Sequence, residues 1–135
     1  MSKSIEAIEG IGPAKGKKLR GCGCTSVAKL LEQGASRKGR SKLAQESGIA
    51  ESVILKAVNQ ADLFRVKGIA SQYAELLEAA GVDTVKELRN RNVANLTTKM
   101  GEVNAKKRLV RQVPSEAMVS KWVSQAKELP PMVSY

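Results

Sequence analysis

The chain has 135 residues, 42% of them hydrophobic, and 23 Lys and Arg against 13 Asp and Glu, a net charge of +10. That is enough for one domain or two very small ones, large enough to fold without disulfides or metals and too apolar to be disordered. The absence of histidine excludes Ser-His-Asp and Cys-His catalysis, His-containing zinc sites and a histidine pH switch, and one Phe, two Tyr and one Trp are too few for rows of base-stacking aromatics.

In chain order, Met1-Ser2-Lys3-Ser4 leads into no apolar stretch of signal-peptide type, and no apolar run approaches the ~18 residues of a membrane span, so a cytoplasmic chain without membrane partners is expected. A short helix is expected before Gly10, and Pro13 suits the first turn of a helix running to Arg20, ended by Gly21 and Gly23. Thr25 is placed to cap a helix through Gln33, stopped by Gly34, and Ser36 the next, stopped by Gly48. Val53, Ile54, Ala57, Val58 and Ala61 share one face at helical spacing. Further on, Asp62, Ser71 and Asp83 are placed to cap three helices, and a longer one follows Asn92. Ser115 caps the last, where Val119, Trp122, Val123 and Ala126 form an apolar stripe before Pro130 and Pro131 end it. No stretch alternates with period two, so the chain reads as all-α with short connections.

The sequence also repeats itself. A shift of 58 positions lays Ile8-Glu9-Gly10-Ile11-Gly12 over Val66-Lys67-Gly68-Ile69-Ala70, and aligns Leu19 with Leu77, Gly23 with Gly81, Ser26 with Thr84, Val27 with Val85 and Leu30 with Leu88. A weaker echo, Lys56-Ala57-Val58-Asn59-Gln60-Ala61 over Lys121-Trp122-Val123-Ser124-Gln125-Ala126, stands at an offset of 65, with the extra residues expected near Asn104–Arg111. Two related units are expected, 1–61 and 62–135.

Charge distinguishes them. Residues 1–42 hold ten basic and three acidic residues, a net +7, against +3 for the remainder. A concentrated basic region favours polyanions through counterion release, although a plain solvating surface has the same composition. Cys22 and Cys24 form a C-x-C pair that lacks the four ligands of a tetrahedral metal site and reads as two small buried or half-buried thiols; no cofactor or metal is expected.

The stretch from Gly10 to Leu19 carries the functional argument. Gly10 and Gly12 flank a single apolar residue, Ile11, in a turn expected to be too tight for side chains at both ends, with Ile11 pointing into the core. The backbone N–H groups of this tight turn and of the following helix are then expected to face outward unpaired, an anion site flanked by Lys15, Lys17, Lys18 and Arg20. Gly10, Ile11, Gly12, Gly16 and Leu19 resemble the helix-hairpin-helix motif, with glycine at Gly16 where that motif often has alanine. The resemblance implies sequence-independent contact of hairpin amides and nearby lysines with DNA backbone phosphates, and in some members a monovalent cation held by hairpin carbonyls.

The second copy, Gly68-Ile69-Ala70, keeps the first Gly, the Ile and the later Leu77. It has Ala70 for the second Gly, and Glu75 and Glu78 where the first copy has Lys17 and Arg20. It is expected to be mainly structural, with Arg65 and Lys67 leaving weak phosphate contact conceivable. Over nearly the whole chain the sequence resembles an uncharacterised, mostly bacterial family of tandem helix-hairpin-helix proteins, most visibly in Asp62–Ile69 and Val113–Trp122. The expected fold is therefore two tandem helix-hairpin-helix units in a compact multi-helix bundle.

Lys106-Lys107-Arg108 with Arg111 is either a second phosphate-contacting cluster or a solvated helix end, and Arg37-Lys38-Gly39-Arg40 either a basic loop or a frayed helix start. No phosphate-loop fingerprint and no acid–base carboxylate pair is present. The expected function is non-enzymatic nucleic-acid binding, with duplex DNA the leading partner and no small-molecule substrate. The alternative is a protein-interaction scaffold that kept the architecture without the nucleic-acid role.

Overall fold

The computed structural model describes residues 4–135, so Lys3, counted above in the basic segment, lies outside the described residues. A 3₁₀ turn, Ile5–Ala7, precedes eight α-helices: α1 (Pro13–Gly21), α2 (Val27–Gly34), α3 (Arg37–Ser47), α4 (Glu51–Leu63), α5 (Ser71–Ala79), α6 (Val85–Leu88), α7 (Val93–Lys107) and α8 (Glu116–Glu128). Among the described residues no strand forms; Ser4 and Ser26 make one isolated bridge. The fold is all-α. Two compact units are present, one of residues up to Asp62 together with Met132–Tyr135, the other Leu63–Pro131.

The repeat is written into the backbone hydrogen bonds. Bonds around the first turn and α1 recur 58 residues later: Ile11 N–H to Ile8 O (3.1 Å) and Ile69 N–H to Val66 O (3.2 Å), Gly16 to Gly12 (2.8 Å) and Ala74 to Ala70 (2.9 Å), Cys24 to Leu19 (2.9 Å) and Val82 to Leu77 (2.8 Å). Ser26 and Thr84, matched by the same shift, cap α2 and α6 by accepting from Lys29 N–H and Glu87 N–H. The units diverge after that. α6 is four residues long against eight in α2, whereas α7 has 15 residues against 11 in α3. The connection into α8 is also longer than the one into α4. These differences, at α6, in α7 and after it, convert the 58-residue offset into 65.

Four helix starts differ from the sequence expectation. Ser26 rather than Thr25 caps α2, because its hydroxyl is the one that reaches the third amide of the helix. Thr84 rather than Asp83 caps α6 for the same reason. Ser71 is the first helical residue of α5, whose cap position is taken by Ala70 with no side-chain bond. Asp62 does not open a new helix: it is buried within α4, which continues to Leu63, a buried leucine of the second unit's apolar cluster. Ser36, Asn92 and Ser115 do cap α3, α7 and α8, and Gly48 ends α3 in the left-handed region.

In the first unit Ile5, Ile8, Ile11, Leu19, Leu30, Ile54, Ala57 and Val58 are buried. In the second, Ile69, Leu76, Leu77, Leu88, Met100, Val119, Trp122 and Val123 form one continuous apolar cluster. Among the described residues no helix is long and apolar enough to cross a membrane.

Candidate nucleic-acid interface

The junction between the 3₁₀ turn and α1 is set by two residues with opposite demands. Ile11 is 3% exposed and anchors the turn in the core. Gly10, exposed, takes φ +89°, a conformation strained for any residue with a Cβ. Gly68 takes φ +95° at the same place in the second unit. Gly12 has no such requirement. Its backbone is extended (φ −84°, ψ −173°), a Cβ built there meets nothing within 4 Å, and Ala70 adopts nearly the same conformation (φ −112°, ψ −172°). The expectation that side chains are excluded at both ends of the turn is therefore corrected: only the first position needs glycine, and Ala70 leaves the second turn intact.

The donors also differ from expectation. Ile11 N–H is not free, because it closes the turn on Ile8 O. The amides left without an intrahelical partner are those of Gly12, Ala14 and Lys15; Pro13 has none to lose, and Gly12 offers no side-chain cap. They open α1 at an exposed surface. α1 buries only Gly16 and Leu19, so Lys15, Lys17, Lys18 and Arg20 all stand in solvent. They are not equivalent. Lys15 Nζ folds back to donate to Gly10 O (3.4 Å), and Arg20 pairs with Glu6 at 2.7 Å.

The matching helix of the second unit is sheltered. Leu76, at the position of Lys18, is fully buried. Tyr73, at the position of Lys15, lies 5.2 Å from Trp122 in a tilted ring contact and donates its hydroxyl to Gln112 O in the long connection after α7. Trp122 Nε1 would lie 3.0 Å from a Cβ on Gly68, whereas a Cβ on Gly10 would meet nothing within 4 Å. Trp122 is thus a core residue that backs the second turn. The connection after α7, longer than the one after α3, reaches α5 through Gln112.

One functional contact escaped the sequence reading. Gln60, fully buried on α4, accepts from Glu9 N–H through its side-chain oxygen at 3.2 Å, just ahead of Gly10. Gln125 on α8 repeats this on Lys67 N–H at 2.9 Å and also donates to Lys67 O at 3.3 Å. The signal was present, since both glutamines lie within the echo at offset 65.

The other basic clusters separate. Arg37-Lys38-Gly39-Arg40 forms the first turn of α3, and Arg40 is buried with its guanidinium on the carbonyls of Gly34 and Ala35. It is withdrawn from any surface. Lys106, Lys107 and Arg108 end α7 and, with Arg111, are exposed, a placement that complements the helix dipole. Cys22 is half-buried and Cys24 buried, at the positions of Ala80 and Val82, so both thiols occupy packing sites. Burial, and then the neighbouring Cys22, push the Cys24 thiol up to about 11. Among the described residues no group of three or more His, Cys, Asp or Glu stands together as a metal site.

No curated protein and no solved structure matches the chain. One family does, over residues 9–129, a span that takes in both turn–helix junctions and all eight α-helices. The chain belongs to that family, the domain of unknown function DUF4332.

Proposed function

We propose that the protein is a non-enzymatic module of two tandem helix-hairpin-helix units that binds duplex DNA without reading its sequence, gripping backbone phosphates at the start of α1. The observation that carries this reading is the contrast between two turns of the same backbone geometry. The first leads into an exposed helix bearing Lys15, Lys17 and Lys18, the second into a helix whose matching positions hold Tyr73, Glu75 and buried Leu76. Free first-turn amides and the helix dipole favour an anion at Gly12, Ala14 and Lys15. Lys17 and Lys18 supply charge that no ion pair among the described residues neutralises. Gly10 and Ile11 shape the turn and Gly12 opens the helix; Arg20 contributes less, because Glu6 already holds it. In the second unit Gly68, Ile69 and Ala70 serve packing. A nucleic-acid partner also implies a cytoplasmic setting.

The alternative, a protein-interaction scaffold, is favoured by the engagement of Arg20 with Glu6 and of Lys15 with Gly10 O, which leaves Lys17 and Lys18 as the α1 lysines whose side chains bond nothing among the described residues. Equilibrium binding to duplex DNA, single-stranded DNA and RNA across a salt series separates the readings. Affinity that falls steeply with salt and is insensitive to sequence supports the first; no binding to any of the three near physiological salt, with a stable protein partner retained, supports the second.

A further inference from the structure

The segment Met132–Tyr135 belongs to the first unit, although in sequence it follows the second. Its seat is built around Arg40, which is 3% exposed. A buried guanidinium is stable only when its donors are met. Nη1 of Arg40 donates to Gly34 O and Ala35 O, both at 3.0 Å, the carbonyls that the end of α2 leaves open. Nη2 donates to Ser134 O at 2.6 Å. Ser134 N–H in turn donates to Ala35 O at 2.8 Å, so one tail residue is held by both of its main-chain groups, as an added strand would be. The next residue, Tyr135, lies with its ring 5.9 Å from the Arg40 guanidinium carbon and donates its hydroxyl to Asn59 Oδ1 at 3.3 Å. Arg37, Glu51, Ser52 and Leu55 line the rest of the cleft.

We propose that this cleft is a peptide-docking site for an extended segment in which the main-chain-paired residue is followed by an aromatic one, and that the chain's own tail is its resident, exchangeable ligand. The recognition chemistry is compatible with exchange. Ser134 is held by both of its main-chain groups, while Tyr135 remains 67% exposed, so the tail is held by directed bonds rather than by deep burial. Leu129-Pro130-Pro131 joins it to α8. A tether that short keeps the tail at an effective concentration of roughly millimolar order, which is what excludes competing peptides.

The test uses the full chain. Ser134→Pro removes the N–H that donates to Ala35 O, and Tyr135→Ala, made separately, removes the ring and its hydroxyl; both lie outside every helix, and far-ultraviolet circular dichroism checks that helix content is kept. A fluorescein-labelled peptide of sequence Leu-Pro-Pro-Met-Val-Ser-Tyr is titrated into wild type and both variants by fluorescence anisotropy. Each variant is expected to bind the peptide at least about tenfold more tightly than wild type, because the resident tail no longer competes. The same peptide with Tyr replaced by Ala is expected to lose that binding. Equal affinity for wild type and variants, no detectable binding to any of them, or indifference to the tyrosine overturns the proposal.

Discussion

The side-chain oxygen of Gln60 accepts a hydrogen bond from the backbone N–H of Glu9 at 3.2 Å, tying α4 to the residue that precedes the Gly10 turn. The second unit builds the same tie from Gln125 and Lys67, but with two bonds instead of one, since Gln125 Nε2 also reaches Lys67 O. Among the described residues Gln60 Nε2, which is buried, finds no partner. Replacing Gln60 by Met therefore removes one bond and also an unmet donor. Replacing Gln125 by Met removes two bonds. Gln125→Met is expected to cost more stability than Gln60→Met, by about 1 kcal/mol, in denaturant titrations of the two variants. Equal losses would contradict the asymmetry. Gln60→Met should also speed amide exchange at Glu9.

The two glycines of the first turn make different demands. Gly10→Ala forces a Cβ into φ +89° and is expected to destabilise by roughly 1–2 kcal/mol. Gly12→Ala places a Cβ in open space on extended backbone, the situation Ala70 already occupies, and is expected to be neutral within about 0.5 kcal/mol. Thermal unfolding of the two variants checks both values. A larger loss for Gly12→Ala would mean that the second glycine is needed after all.

A third expectation concerns the packing of α2 on α4. A Cβ on Gly34 would run into Val58 Cγ2 on α4, with Leu43 and Arg40 close by. Gly34→Ala is expected to destabilise by about 1–3 kcal/mol through overpacking, despite the better helix propensity of alanine. Adding Val58→Ala opens the space, and the double variant should recover part of the loss, a coupling read from a double-mutant cycle.

Cys24 predicts a pH dependence. Its thiol is raised from 9.0 to about 11 by burial and by Cys22, so the folded state favours the neutral form. That contribution is complete below the unfolded value of about 9 and is lost as pH rises through about 11. Cys24→Val, which copies Val82 of the second unit, removes it. The stability difference between the variant and wild type should therefore shift in favour of the variant between pH 9 and 11 and stay constant below pH 8. A difference that is flat across the whole range would contradict the burial of this thiol. Alkylation below pH 9 should fall on half-buried Cys22 before Cys24.

The architecture was legible because the repeat and the helix punctuation agree: Gly10 and Gly68, Ile11 and Ile69, and Ser26 and Thr84 sit in matching places at the predicted offset. Helix starts were off by one at Thr25 and Asp83, since each stands beside a second residue able to cap and only the packing of Val27 and Val85 decides between them. Asp62 looked like a cap because acidic residues favour that position, but tertiary burial carried α4 past it. The lysines of α1 were visible as a charge cluster. Their engagement was not, because the Arg20–Glu6 pair joins residues 14 apart and the Arg40–Ser134 bond residues 94 apart. The fate of Arg40 shows the limit plainly: in sequence it belongs to a basic run, and in the fold it is buried on three carbonyls.

The central claim, that the charge on α1 serves a polyanion at the first turn, is tested most directly by the salt dependence of duplex-DNA affinity for wild type and the Lys15→Gln/Lys17→Gln/Lys18→Gln variant. Each phosphate contact contributes about 0.9 to the slope of log affinity against log salt. The account predicts that the triple variant weakens binding across all sequences tested and reduces that slope by about 2–3, whereas the matched change Glu75→Gln/Glu78→Gln in the second unit leaves both unchanged. A triple variant with wild-type affinity and slope would contradict it.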